Sequence, residues 1–113
     1  MAKVIIVKSL KNEIYKKFKE ESKNIFKLIY SLKKSPKKGK ELGQVQGLLI
    51  KELRYKNYRF YFLSKGHLLK VLGIDDLKEL FLKFVKMSDK KYQQKTIDEI
   101  KDILRKLGEE GFS

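Results

Sequence analysis

A chain of 113 residues with 42% hydrophobic content is sized for one compact domain, expected over 1–113, with a core of its own. Its 28 Lys plus Arg against 14 Asp plus Glu leave a formal charge of +14, a field that attracts nucleic acid, an acidic protein or anionic lipid. The lack of cysteine excludes disulfides, a thiolate nucleophile and cysteine-ligated metal. No run reaches the roughly 18 apolar residues of a membrane span, and the start is too short for a signal peptide, so a soluble cytoplasmic protein is expected.

In chain order, "KVIIV" (3–7) is a β-branched run that predicts a strand, and Ser9 can cap the helix that follows. Ile14, Phe18, Ile25, Ile29 and Leu32 recur at helical spacings, and the polar patch "KEESKN" (19–24) divides that face, predicting two helices packed as a hairpin. "SPKKGKELGQVQG" (35–47) holds the only proline and three glycines and reads as a loop. Its glycine spacing fits no phosphate-binding fingerprint. Strand-like runs follow at 48–55, 58–64, 67–74 and 79–87, with Lys56-Asn57 and Lys65-Gly66 as two-residue turns in which Asn or Gly takes positive φ. Thr96 and Glu99 predict a capping box for a closing helix whose apolar face is Ile97, Ile100, Leu104 and Leu107. The predicted class is α+β: an N-terminal strand and helical hairpin packed on an antiparallel sheet, with a C-terminal helix.

A two-residue turn at Lys56-Asn57 sets Tyr55 opposite Tyr58, Arg54 opposite Arg59 and Glu52 opposite Tyr61. Leu49, Leu53, Phe60 and Phe62 then share the core face, and Glu52, Arg54, Arg59 and Tyr61 share the other. Two like charges directly opposed destabilise a sheet. Either Glu52 or a bound phosphate between the arginines relieves that repulsion. Arg59, turned away from Phe60 and Phe62, is expected to be removable without loss of the fold.

Three patterns carry a family resemblance: "SP" followed by "ELG" (35–36, 41–43), "IKELRYKNYRFYF" (50–62) and "FVKMSDKKY" (84–92). With the order strand, helical hairpin, loop and sheet, the chain resembles the RelE/ParE toxin superfamily, nearest its RelE and HigB branches. The resemblance implies a RelE-like fold and a type II toxin that cleaves messenger RNA in the ribosomal A site, by attack of a ribose 2′-hydroxyl on the adjacent phosphorus without a metal or other cofactor. Such a reaction needs a base, positive charge at the phosphate and an acid for the leaving oxygen. By resemblance, Arg59 and Arg54 match the arginines of the central hairpin, while Lys86 and Tyr92 match a basic residue and a tyrosine near the end of the last strand. Tyr55, Tyr58, Tyr61, Lys90 and Lys91 are candidate RNA contacts. The chain departs from RelE in holding Ile50 and Glu52 where RelE has two lysines. Glu52 is therefore a candidate base, as is Tyr92 if nearby cations lower its pKa.

Other sites fare less well. His67 is the only histidine and reads as a surface residue, Asp75-Asp76 reads as turn chemistry, and Ser64 and Ser88 have no triad partners. Two functional classes follow: a ribosome-dependent endoribonuclease held in check by an acidic antitoxin, or a non-catalytic binder on the same fold, whether a gyrase inhibitor or a decayed member that binds only its antitoxin.

Overall fold

The β-branched run near the start of the chain forms an edge strand, and its partner sets the topology. A computed structural model describes residues 2–65 and 80–113. Strand β1 (Lys3–Ile6) leads into helix α1 (Lys8–Phe18), a 3₁₀ turn over Lys19–Glu21, helix α2 (Ser22–Tyr30) and a second 3₁₀ turn over Ser31–Lys33. Strands β2 (Lys40–Val45), β3 (Leu48–Tyr55), β4 (Tyr58–Lys65) and β5 (Phe81–Asp89) follow, and helix α3 (Gln93–Leu107) runs into a closing 3₁₀ turn over Gly108–Gly111. The sheet order is β1-β5-β4-β3-β2, with β1 parallel to β5 and every other pairing antiparallel. This is an α+β architecture with a mixed sheet, not the purely antiparallel one expected. No helix among the described residues is long and apolar enough to cross a membrane. The strand expected over 67–74, Gly66 of the turn expected at 65–66, His67 and the Asp75-Asp76 pair lie outside the described residues, while Lys65 is the last residue of β4.

Local signals account for most element boundaries. Lys19 takes φ +51 and ends α1, so the helical face breaks within the polar patch. The Ser22 hydroxyl then donates to the Lys19 carbonyl at 2.5 Å, binding the junction together. Ile14, Ile25, Ile29 and Leu32 are fully buried, as their spacing requires, and the Tyr15 and Phe26 rings meet 4.9 Å apart between the two helices. Two expected caps are absent. Ser9 lies inside the first turn of α1, whose N-cap is Val7, and Thr96 lies inside α3, which starts three residues earlier. The start of α3 is set instead by Asp89, whose carboxylate accepts the Tyr92 N–H at 3.0 Å.

The central hairpin has the expected register, with Arg54 opposite Arg59 and Glu52 opposite Tyr61. Its left-handed turn residue is Lys56, at φ +54, and not Asn57. The segment read as a loop contains β2, which joins β3 through a tight turn at Gln46 and Gly47, both at positive φ. A register shift between Glu41 and Gly43 interrupts the strand and hides its alternation.

The sheet is covered on both faces. Phe18 packs its ring edge-on to Tyr58 at 4.9 Å and lies 6.3 Å from Phe60, which places the two N-terminal helices over the face of Leu53, Phe60 and Phe62. On the opposite face, α3 contributes buried Ile97, Ile100 and Leu104 over buried Ile50, Tyr61 and Leu63, while Leu107 is left exposed. The expected solvated face of β3 and β4 is therefore a second core. Burial on both sides explains the unbroken buried runs Leu49–Leu53 and Arg59–Ser64.

One lysine is enclosed by this packing. Lys51 is 4% exposed, donates to the Lys37 carbonyl at 2.8 Å and lies 5.8 Å from the Phe62 ring centre. Burial lowers its ammonium pKa from the ordinary 10.5, partly offset by the Glu41 carboxylate. A lowered folded-state value makes the charged form a cost at neutral pH, relieved as pH rises from the folded value toward 10.5. Lys51→Met should raise the urea midpoint at pH 7, and its advantage over the parent should shrink as pH approaches that of free lysine. Gly39 holds the covering loop close, with φ +103 and an added Cβ meeting the Glu52 carbonyl oxygen at 2.9 Å and the Phe62 ring at 3.0 Å. Gly39→Ala should cost roughly 2 kcal/mol or more in denaturant unfolding.

Candidate functional site

Glu52 and Arg59 sit on neighbouring strands beneath the first turn of α3. Both are about 95% buried or more, at 5% and 3% exposure. Glu52 Oε2 accepts the Gln93 side-chain amide at 2.8 Å, and Glu52 Oε1 lies 3.9 Å from Arg59 Nε. That separation is an ion pair but too long for a hydrogen bond. Arg59 Nη1 donates to the Tyr58 carbonyl at 3.4 Å, whereas its Nε is buried with no acceptor. A desolvated donor left without an acceptor costs on the order of 1–3 kcal/mol.

The opposed arginines resolve their repulsion by parting. Arg59 turns under α3 toward Glu52, whereas Arg54 is exposed. Arg54 lines an open depression of about 320 Å³ with Lys38, Gly39, Lys40, Leu53 and Glu52. Glu52 thus belongs to two environments. One carboxylate oxygen faces the buried guanidinium, and the residue also forms part of the wall of a basic depression open to solvent.

The other expected residues are distributed around this centre. Tyr61 is fully buried, and its hydroxyl shares a 2.7 Å hydrogen bond with Ser88. Burial raises its phenol above the ordinary 10.0, against a smaller opposing effect of the Ser88 contact, so it is held protonated. Its ring is core and offers no face to a base, contrary to the expected RNA contact. Tyr55 and Tyr58 belong to the opposite face: Tyr55 donates to Glu21 at 2.6 Å, and Tyr58 packs on Phe18. Lys86 pairs with Tyr61 in the β4–β5 register beside a bulge, and its charge acts on Glu13 of α1, whose carboxyl burial raises and Lys86 pulls back down. Tyr92 is half exposed just before α3, with the Lys91 ammonium 5.5 Å from its ring centre, and Lys90 and Lys91 are exposed. Among the described residues, none of Lys86, Lys90, Lys91 and Tyr92 forms an ion pair or hydrogen bond with Glu52 or Arg59.

Four participating residues were not foreseen. Gln93 holds Glu52, Ser88 holds Tyr61, and Lys38 and Lys40 line the depression. The lysine run around Pro36 was the visible signal for the last two. Gln93 carried no signal while the helix was placed three residues later. Among the described residues no group of three or more His, Asp or Glu side chains is arranged to hold a metal ion.

No family model, no curated protein and no solved structure matches this chain. The chemistry rests on the residues themselves.

Breaking the buried cluster should be costly in a defined order. Gln93→Ala removes the amide donated to Glu52 and should lose about 1–3 kcal/mol. Glu52→Gln leaves the Arg59 guanidinium buried without a carboxylate and should lose more, roughly 3–5 kcal/mol. Adding Arg59→Met to Glu52→Gln should recover most of that loss. Additive effects in a double-mutant cycle of urea unfolding would show that the pair is not coupled.

Proposed function

We propose that the chain is a RelE/ParE-type toxin that cleaves messenger RNA on the ribosome, with Glu52 and Arg54 as the residues that meet the scissile phosphate. The observation that carries this reading is the placement of Glu52 in the wall of the basic depression beside Arg54, with Arg59 behind it. The order strand, two helices, sheet and closing helix supports it as well, being the order that the resemblance implies.

In this mechanism Glu52 Oε2, released from the Gln93 amide as RNA enters the depression, takes the proton of the ribose 2′-hydroxyl, whose oxygen attacks the adjacent phosphorus. The bond to the 5′-oxygen of the next nucleotide breaks, and that oxygen receives a proton from a lysine ammonium lining the depression, Lys38 or Lys40. Arg54 places two N–H donors against the phosphate oxygens as charge builds, which a lysine's point charge does less well. Arg59 orients Glu52 from behind and does not itself reach the depression. Tyr92, Lys86, Lys90 and Lys91 contribute to the field around the message. An acidic antitoxin, made in the same cytoplasm, neutralises the basic surface by charge complementarity.

A second reading has its own observation. Burial of Arg59, Glu52 and Tyr61 beneath α3 favours a non-catalytic binder of the same fold, acting on gyrase or on an antitoxin alone. Primer extension on message from cells making the protein separates the two. Breaks within translated codons support cleavage; intact message with gyrase-type DNA damage supports the binder.

Arg54 gives the cleaner substitution. Because Arg59 is enclosed, Arg59→Ala empties a buried position and strands Glu52, so it alters folding and chemistry together. Arg54 is exposed, and Arg54→Ala should shift stability by no more than about 0.5 kcal/mol while lowering cleavage by about two orders of magnitude. A well-folded Arg54→Ala protein that cuts message at the parental rate would remove this site from the mechanism.

A further inference from the structure

Half of the formal charge of +14 falls in one segment of the chain. Residues 22–40, covering α2 and the connection to β2, contain seven lysines and no Asp or Glu, whereas residues 89–113, covering α3, contain six basic and six acidic residues. The lysine-rich segment also borders the open relief of the surface. A depression of about 580 Å³ is lined by Lys27, Tyr30, Ser31, Lys33 and Lys34, with Ser35 at its end. A second, of about 480 Å³, shares Lys27 and Ser31 with the first and reaches Lys38 and Tyr55. Lys38 in turn lines the depression that holds Arg54 and Glu52. Each depression shares a wall residue with the next, so the three lie in a row, here called the furrow, from the end of α2 to the candidate site.

We propose that this furrow is a track for a single-stranded RNA backbone, delivering the strand to Glu52 and Arg54. A basic groove with aromatic rings at intervals is what single strands use: ammonium groups follow the phosphates, and rings offer surfaces to bases. Tyr30 and Tyr55 stand at the two ends of the Lys27–Lys38 stretch, both half-buried, and the Lys33 ammonium lies 4.9 Å from the Tyr30 ring centre. Asn24 adds a neutral amide suited to sugar and phosphate oxygens. An acidic protein helix would need apolar anchor pockets. The middle depression offers Leu28 and the Tyr55 ring, both half-buried and flanked by Lys27 and Lys38, not a row of apolar pockets at helical spacing. The ligand class rests on the RNA reading above; the track rests on its own geometry and charge.

The test is fluorescence anisotropy of a short dye-labelled oligouridylate with the full chain, across a potassium chloride series. Lys27→Gln/Lys33→Gln/Lys34→Gln should weaken binding at low salt by at least about tenfold and make the log–log salt slope shallower by roughly 2, as expected when three single-strand phosphate contacts are lost. Lys95→Gln/Arg105→Gln/Lys106→Gln removes equal charge from α3 and should change affinity much less. Equal losses in both triple variants would show a net-charge effect and overturn the track, as would unchanged binding in the furrow variant. Tighter binding of polyglutamate than of the oligonucleotide would overturn the ligand class. Message cleavage in cells is scored separately. A furrow that binds RNA in a chain that never cuts message leaves the track standing and sinks the nuclease reading.

Discussion

Two-sided burial of the central hairpin is the constraint on which the rest of the structure depends. Strands β3 and β4 carry aromatic and aliphatic residues on both faces, so both must be covered, by the N-terminal helices on one side and by α3 on the other. The charged residues of the hairpin are enclosed along with the apolar ones. Glu52 and Arg59 are enclosed not because the cluster attracts a cover but because Ile50, Tyr61 and Leu63 beside them demand one. Once enclosed, an ion pair is weak support for stability unless its remaining donors and acceptors are met. Gln93 meets one oxygen of Glu52, while Arg59 Nε stays without an acceptor.

Much of the hairpin was legible in the sequence because its turn and its alternation agree. Lys56 and Asn57 leave only one register that keeps Leu53, Phe60 and Phe62 together, and the observed pairing is that register. The helical faces were legible as well, since Ile14 in α1 and Ile25 and Ile29 in α2 keep helical spacing within each helix on either side of the polar break. Strand β2 was not, because its register shift at Glu41/Gly43 and the Gln46-Gly47 turn place glycines where alternation would otherwise show. The start of α3 was misplaced because Thr96 and Glu99 mimic a cap, whereas the real signal, Asp89 accepting the Tyr92 N–H, lies outside the helix.

The second core was the larger omission, and the sequence did contain its signature. Ile50 and Leu63 share a face with Arg59, and a helix with Ile97, Ile100 and Leu104 on one side needs an apolar surface to cover. Reading both facts together would have removed Tyr61 from the candidate RNA contacts and recast Arg59 as a residue acting from behind. What survives from the sequence is the association of Glu52 with the two arginines. What it could not supply is which arginine faces solvent, because directly opposed residues share a face and differ only in how each side chain turns.

The pairing of β1 with β5 bears on how the sheet comes together. Lys3 lies beside Phe81 and Ile6 beside Phe84, so an edge strand from near one end of the chain closes against a strand from its final third. Such a pairing must close a very large loop before it returns any contact energy, whereas β3 and β4 meet across two residues. Loop closure therefore favours pairing of β3 with β4 ahead of pairing of β1 with β5. A chain still emerging during synthesis holds Val4 and Ile6 without their partner strand until β5 has been made. For that interval its β-branched run is an unpaired strand, the kind of edge through which chains associate with their neighbours.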